Sequence, residues 1–202
     1  MSDNINLNSN NVRIGGGDFD AVWVGKLGAI MPTGIDDPTE HDHAGLLSDD
    51  GMELSFDDNT ETFNGHQGGR VMRKKVTSSE ATFTFTMAET KMLSLGLAHN
   101  ITEATKTGGV ARMKASVSKR SNDRRSWVVD VWDGNPGQDG SIWYRYLFPS
   151  GETGERPTLA FKNNEITMYE TQVTVYDDYE FLTNDPAVVD SEDVTEGAPS
   201  GA

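Results

Sequence analysis

The sequence predicts a mainly β protein with one flanking α-helix and long loops, and three observations carry that expectation. Phe83, Phe85 and Met87 alternate with Thr82, Thr84 and Thr86, which puts an apolar set and a hydroxyl-bearing set on opposite faces of a strand. Trp127, Val129 and Val131 share one parity, as do Ile142, Tyr144, Tyr146 and Phe148, while Tyr169, Thr171, Val173 and Val175 line one side of a further stretch. Helical spacing is confined to 89–98 and its approach, where Ala88, Met92 and Leu95 recur at i, i+4 and i+7.

Taken in chain order, residues 1–20 open as a polar, Asn-rich, flexible arm. Residues 22–24 and 27–31 are strand candidates around Gly25, and 32–44, rich in Pro, Asp and His, reads as a long loop of the kind that a partner orders. Residues 46–47 and 52–56 flank Ser48-Asp49-Asp50-Gly51, where Asp-Gly suits the positive-φ positions of a hairpin turn. A second polar loop covers 57–69. Residues 70–76 and 81–87 then form a second hairpin around a turn at 77–80, and the helix follows. Further strands are expected at 110–118, 126–132, 141–148, 159–161, 165–176 and 180–182. From 183 to 202 the chain carries Asp185, Asp190, Glu192, Asp193 and Glu196 with no basic residue, which predicts an acidic, disordered tail after a domain spanning 21–182. Trp132, Trp143 and Leu147 fall on the parity opposite to the main apolar sets, so one sheet needs a cover on both faces, and a neighbouring subunit can supply one of them.

Composition narrows the function classes. A net charge of −15 disfavours a general polyanion-binding role. With only 35% hydrophobic residues in 202, the core is thin and assembly is expected to contribute stability. The chain has no cysteine, which excludes disulfides and thiolate metal sites, and no apolar run long enough to span a bilayer. The residues Met-Ser-Asp-Asn at its start lack the basic and apolar regions of a signal peptide, which points to synthesis in a cytoplasm without membrane association.

Candidate chemistry is sparse. His41-Asp42-His43, with His66 or His99, offers metal-ligand types without the spacing of a zinc site. The stretch from Asp133 to Gly140 resembles a calcium loop, yet Gln138 occupies the position that needs glycine and Tyr144 the one that needs a bidentate glutamate, so a turn between strands explains it better. Ser116 and Lys119 match an acyl-transfer spacing that works on a helix, whereas this segment reads as a strand. No phosphate-binding glycine loop or nucleophile elbow occurs, and neither catalytic residue, metal nor cofactor is expected. Charge is more informative. Arg70, Arg73, Lys74 and Lys75 cluster on one hairpin, and Lys106, Arg112, Lys114, Lys119, Arg120, Arg124 and Arg125 in and around the next strand, while the N-terminal third and the tail are acidic. Two readings stand side by side: ordinary solvated strand faces, or basic and acidic zones of identical copies meeting head to tail.

Several stretches together resemble the major tail proteins of long-tailed, non-contractile bacteriophages, especially those of actinobacterial hosts. They are Trp23-Val-Gly-Lys-Leu-Gly28 before the Asp/Pro-rich loop, the run from Gly45 through Asp50-Gly51 to Leu54, Gly68-Gly-Arg-Val71, and Phe83-Thr-Phe-Thr-Met-Ala-Glu-Thr90 leading into the helix. The order of elements agrees from about residue 20 to 182. The resemblance implies a non-enzymatic β-sandwich subunit, β-barrel-like in assembly. Six copies form a ring, inner sheets join into a continuous barrel, and stacked rings enclose the channel for DNA ejection. It also implies a tape measure protein and tail terminator and tip proteins as partners, transient non-specific passage of DNA, and residence in the virion after synthesis in the host bacterial cytoplasm. Within that picture Thr82, Thr84 and Thr86, with Glu80 at their start, are the candidate lumen-facing residues, because small neutral groups and carboxylates make few strong phosphate contacts; ordinary outer surface remains the competing reading of the same face. Two other functions stay open: a further virion structural protein such as a head-decoration protein, and a carbohydrate-binding β-sandwich, which would need Trp127, Trp132 and Trp143 as exposed platforms.

Overall fold

The computed structural model describes residues 9–64, 66, 69–118 and 123–195. Residues 1–8 of the expected arm, Gly68, Lys119, Arg120 and 196–202 of the expected tail lie outside the described residues. After a short 3-10 turn at Ser9–Asn11, ten strands follow in order: β1 (Ala21–Lys26), β2 (His41–His43), β3 (Leu47–Asn64), β4 (Val71–Met87), β5 (Ile101–Thr107), β6 (Val110–Ala115), β7 (Arg124–Asp133), β8 (Ile142–Thr153), β9 (Tyr169–Val175) and β10 (Glu180–Thr183). Helix α1 (Met92–His99) separates β4 from β5, and a four-residue helix α2 (Pro186–Val189) follows β10. The mainly β class with a flanking helix is therefore observed.

Eight strands form one antiparallel sheet in the order β2-β1-β7-β8-β9-β4-β3, with β10 on the β8 edge, while β5 and β6 form a separate two-stranded ribbon. The large sheet folds onto itself at β8. That strand pairs with β7 over its length, but with β9 only at 151–153 and with β10 at 144–147. Beyond the corner β9, β4 and β3 face back across β1, β7 and β8, so Phe83 meets Phe148 at 5.6 Å and Trp127 at 6.1 Å between ring centroids. The two layers make a β-sandwich, with Phe83, Phe85, Met87, Val22, Val24, Trp127, Phe148 and Val173 buried between them. Each such side chain contributes about 1.5–3 kcal/mol of burial. The corner needs Gly151, where a Cβ would sit 2.7 Å from Val173 Cγ1 and 3.0 Å from Trp127 Cδ1.

Several expected boundaries differ from those observed. The Asp-Gly pair at 50–51 does not turn a hairpin. Gly51, at φ +78, sits in β3 where the register slips between Leu47↔Met87 and Met52↔Phe85, so the positive φ serves a bulge. Similarly, 57–64 and 77–80 are strand rather than loop and turn, because β3 and β4 pair with each other from Met52↔Phe85 out to Asn64↔Val71. Their Asp, Asn, Thr and Ser content mimics a loop because the distal part faces solvent on both sides. β5 carries too little apolar patterning to be expected, residues 27–28 form a turn with 29–31 irregular after it, and 159–161 is irregular. In α1 the buried residues are Ser94 and Ala98, whereas Met92, expected on the core side, is 54% exposed. Ser94 Oγ accepts from Lys91 N at 2.8 Å and donates to Glu89 O at 2.9 Å, which sets the helix start three residues later than the spacing suggests.

Candidate assembly and lumen surfaces

Strand alternation places Thr82, Thr84 and Thr86 opposite the buried Phe83, Phe85 and Met87, half-exposed on the face turned away from the core. The register extends that face across three strands. Ser55, Thr82 and Thr174 lie in one row, Glu53, Thr84 and Gln172 in the next, Asp57 pairs with Glu80, and Thr86 pairs with Glu170. Every one of these residues carries a hydroxyl, an amide or a carboxylate; none is basic and none is apolar. The three-strand sheet thus has a cation-free outer wall whose back is apolar but for Thr171, and of this wall the sequence revealed only the β4 row.

Beyond Ala81, which pairs with Val175, β4 loses β9 as a neighbour, and 57–64 and 71–80 continue as a two-stranded ribbon exposed on both faces. Val71, Met72 and Val76 on it are 58%, 77% and 56% exposed. Among the described residues, none of Arg70, Arg73, Lys74 or Lys75 forms an ion pair within the chain. The basic residues of the second cluster are partly engaged: Lys114 meets Glu103 at 2.6 Å, Arg125 meets Asp123 at 2.6 Å, and Arg124 stacks over the Tyr176 ring at 4.4 Å.

The second face of the β1–β7–β8 layer, which needed a cover, is covered in part from within the chain. Asp130 and Arg145 are cross-strand partners on that face, both buried, with Nε to Oδ1 at 2.6 Å and Nη2 to Oδ2 at 2.8 Å. Arg145 Nη1 also donates to the carbonyls of Gly34 and, at 2.8 Å, Asp36, clamping the 32–44 segment over the sheet, while Trp23 Nε1 donates to Asp130 at 2.9 Å. Sequence reasoning missed this pair, although a charged residue at the centre of each of two apolar strands, Trp127–Trp132 and Trp143–Phe148, is the signal that could have found it.

A second polar knot joins Arg13 and Asp185, which lie on either side of the sheets in the chain order. Arg13 donates from Nε and Nη2 to the Asp185 carboxylate at 2.7 and 2.6 Å, and Tyr144 Oη donates to the same group. Asp185 also caps α2 by accepting from Ala187 N at 2.9 Å. The Arg13 guanidinium and then the Tyr144 hydroxyl hold the Asp185 carboxyl well below the usual carboxylate range. Described structure thus continues past residue 182, and Arg13 of the expected arm is tied to the body by a bidentate pair that composition does not reveal.

The remaining candidates take structural roles. His41 is buried with Nε2 3.0 Å from Ser126 Oγ, and His43 accepts from Gly45 N at 2.9 Å and packs edge-on against Trp23. Burial lowers the pKa of both imidazoles. Among the described residues no group of three or more His, Cys, Asp or Glu side chains is placed to hold a metal ion. The 134–140 segment joins β7 to β8 as a turn, with Gly134, Gly137 and Gly140 at positive φ. Trp127 is sealed in the core with Nε1 donating to Gly151 O at 3.2 Å, and Trp132 is buried as well, so neither stands as an exposed platform for a carbohydrate, while Trp143 is half-buried. No described helix is long and apolar enough to cross a membrane.

Comparison with known proteins agrees with this architecture. No curated protein matches the chain. The family described as phage tail tube protein matches residues 5–196, nearly the whole chain. By that match the chain belongs to the phage tail tube protein family, a structural component of the virion tail.

Proposed function

We propose that the chain is the repeating, non-enzymatic subunit of a tail tube. Copies close into six-membered rings, the rings stack, and the channel carries DNA during ejection. Tape measure, terminator and tip proteins meet the tube along its bore and at its ends, in a virion whose parts are made in the host cytoplasm. The observation that carries the reading is the registered outer face of β3, β4 and β9, with Glu80, Thr82, Thr84 and Thr86 on its central strand. A conduit must not hold phosphates, and a wall of hydroxyls, amides and carboxylates offers DNA neither cations nor apolar stacking surfaces. The edge of β3 beside this wall supports the same reading, because among the described residues it has no strand partner beyond β4, a bare edge invites pairing with another chain, and ring closure removes it.

Electron microscopy of the concentrated protein tests assembly: hollow tubes of six-fold rings are expected, and particles that bind capsids without forming tubes would favour a head-decoration role. Thr84→Lys tests the wall. Tubes should form with normal stability, yet DNA ejection should slow strongly, because ring symmetry repeats each new cation around the bore at every level. Normal ejection through well-formed Thr84→Lys tubes would remove this face from the lumen.

A further inference from the structure

The β3–β4 pair has two unlike ends. At one end, beside Leu47 and Met52, lies a cleft of about 990 Å³ with apolar walls that include Trp23, Met52 and Trp132. Asp18, Asp37 and Asp49 stand in its lining, no lysine or arginine lines it, and among the described residues none of these three carboxylates is paired with a cation. At the other end, where Asn64 pairs with Val71, the ribbon carries Arg73, Lys74 and Lys75 beside the exposed Val71 and Met72. The two ends are separated by roughly 40 Å of continuous strand at about 3.3 Å per residue. One chain therefore cannot bring its own ribbon into its own cleft.

We infer that the cleft receives the basic distal ribbon of a second copy, so that subunits join head to tail; the inference rests on the tube reading above. Apolar side chains next to cations suit a cleft with aromatic walls and carboxylates. A two-stranded ribbon that is marginal alone gains the neighbour it lacks. Because the two surfaces differ and lie at opposite ends, the contact is heterologous and can repeat from copy to copy, as stacking rings need. Opposite charges on the two surfaces also steer encounter in the right orientation and oppose head-to-head pairing.

A charge swap tests it in the full chain. Arg73→Glu with Lys75→Glu, or Asp37→Lys with Asp49→Lys, should each raise the concentration at which tubes form by about tenfold or more. All four changes in one chain should return it to within about threefold of the unchanged protein. Thermal melting of each variant checks the fold. The neutral pairs Arg73→Gln with Lys75→Gln and Asp37→Asn with Asp49→Asn, with smaller shifts, supply the readout if a reversal misfolds. Tubes that form equally well from every variant overturn the docking while leaving the tube reading in place, as does a fourfold variant that fails to recover. An unchanged protein that stays monomeric throughout the range overturns the tube reading and this contact together.

Discussion

The same two strands, β3 and β4, pass through two environments, and the contrast explains how the molecule is built. In the body, 81–87 pair with β9 on one side and β3 on the other, and their alternation is strict because one face meets Trp127 and Phe148. In the ribbon, 71–80 pair with β3 alone and alternation disappears, since neither face has a core to satisfy. Backbone pairing continues through register slips between Asn59 and Thr60 and between Phe63 and Asn64, while intrachain burial falls away. The body buries its own core, and under the proposed docking the ribbon is the part that a neighbour completes.

The widest gap between the regions should appear on breaking the clamp beneath the body. Arg145→Met leaves the Asp130 carboxylate buried without its guanidinium and frees the 32–44 segment, so chemical denaturation should show a loss of about 3–5 kcal/mol. A loss below about 1 kcal/mol would mean that this pair does not hold the body together. Next in size is the corner. Gly151→Ala presses a methyl against Val173 and Trp127 and should cost about 1–3 kcal/mol by the same measurement, without altering tube geometry.

Acid provides a third and smaller contrast, because the titrating groups with lowered pKa lie in the body. His41 and His43 have pKa values pushed below the usual imidazole value of about 6.5 by burial, so the unfolded chain binds protons that the folded chain refuses. Their contribution to stability is whole above pH ~6.5 and falls as pH drops below it. Asp185, held low first by Arg13, adds a second decline as pH falls through the ordinary carboxylate range near 4. Melting temperature followed from pH 8 to 3 should show both limbs; Asp185→Asn should flatten the lower one, and His41→Gln should shrink the upper.

The smallest effect on the monomer belongs to the ribbon. Val76→Thr, at a side chain 56% exposed, should change monomer stability by no more than about 0.5 kcal/mol. Hydrogen exchange sharpens the point: amides of 71–80 should exchange quickly in the monomer and become protected in tubes, whereas those of 83–87 should be protected in both. Equal protection of the ribbon in the two states would erase the distinction between body and ribbon.

Where a strand packs against a core, its period was readable. Phe83-Phe85-Met87, Trp127-Val129-Val131 and Tyr169-Thr171-Val173-Val175 all lie on the faces their alternation indicated. The turn from Asp133 to Gly140 was readable for a similar local reason, since glycines there adopt the positive φ that the joint requires. Legibility failed where order comes from pairing alone, as in 57–64 and 77–80, whose polar residues look like loops although their backbones pair as strands with two register slips. It failed again for Asp130 with Arg145 and for Arg13 with Asp185, partners 15 and 172 residues apart whose meeting depends on register or on chain return. Of the outer wall, only Glu80, Thr82, Thr84 and Thr86 could be singled out; Glu53, Ser55, Gln172 and Thr174 join them through pairing across three strands.

By itself the sequence determined the β class, the faces of the core strands, the absence of thiol chemistry and the likeness to tail tube proteins, because alternation, composition and motif order are local properties. Only the tertiary structure decided that β8 turns one sheet into a sandwich, that Arg145 holds the 32–44 segment over part of the second face, and that the acidic cleft and basic ribbon stand at opposite ends. Those features depend on strand order and register, and many orders satisfy the same alternation; the choice among them is made by which layers can bury their aromatic rings against one another.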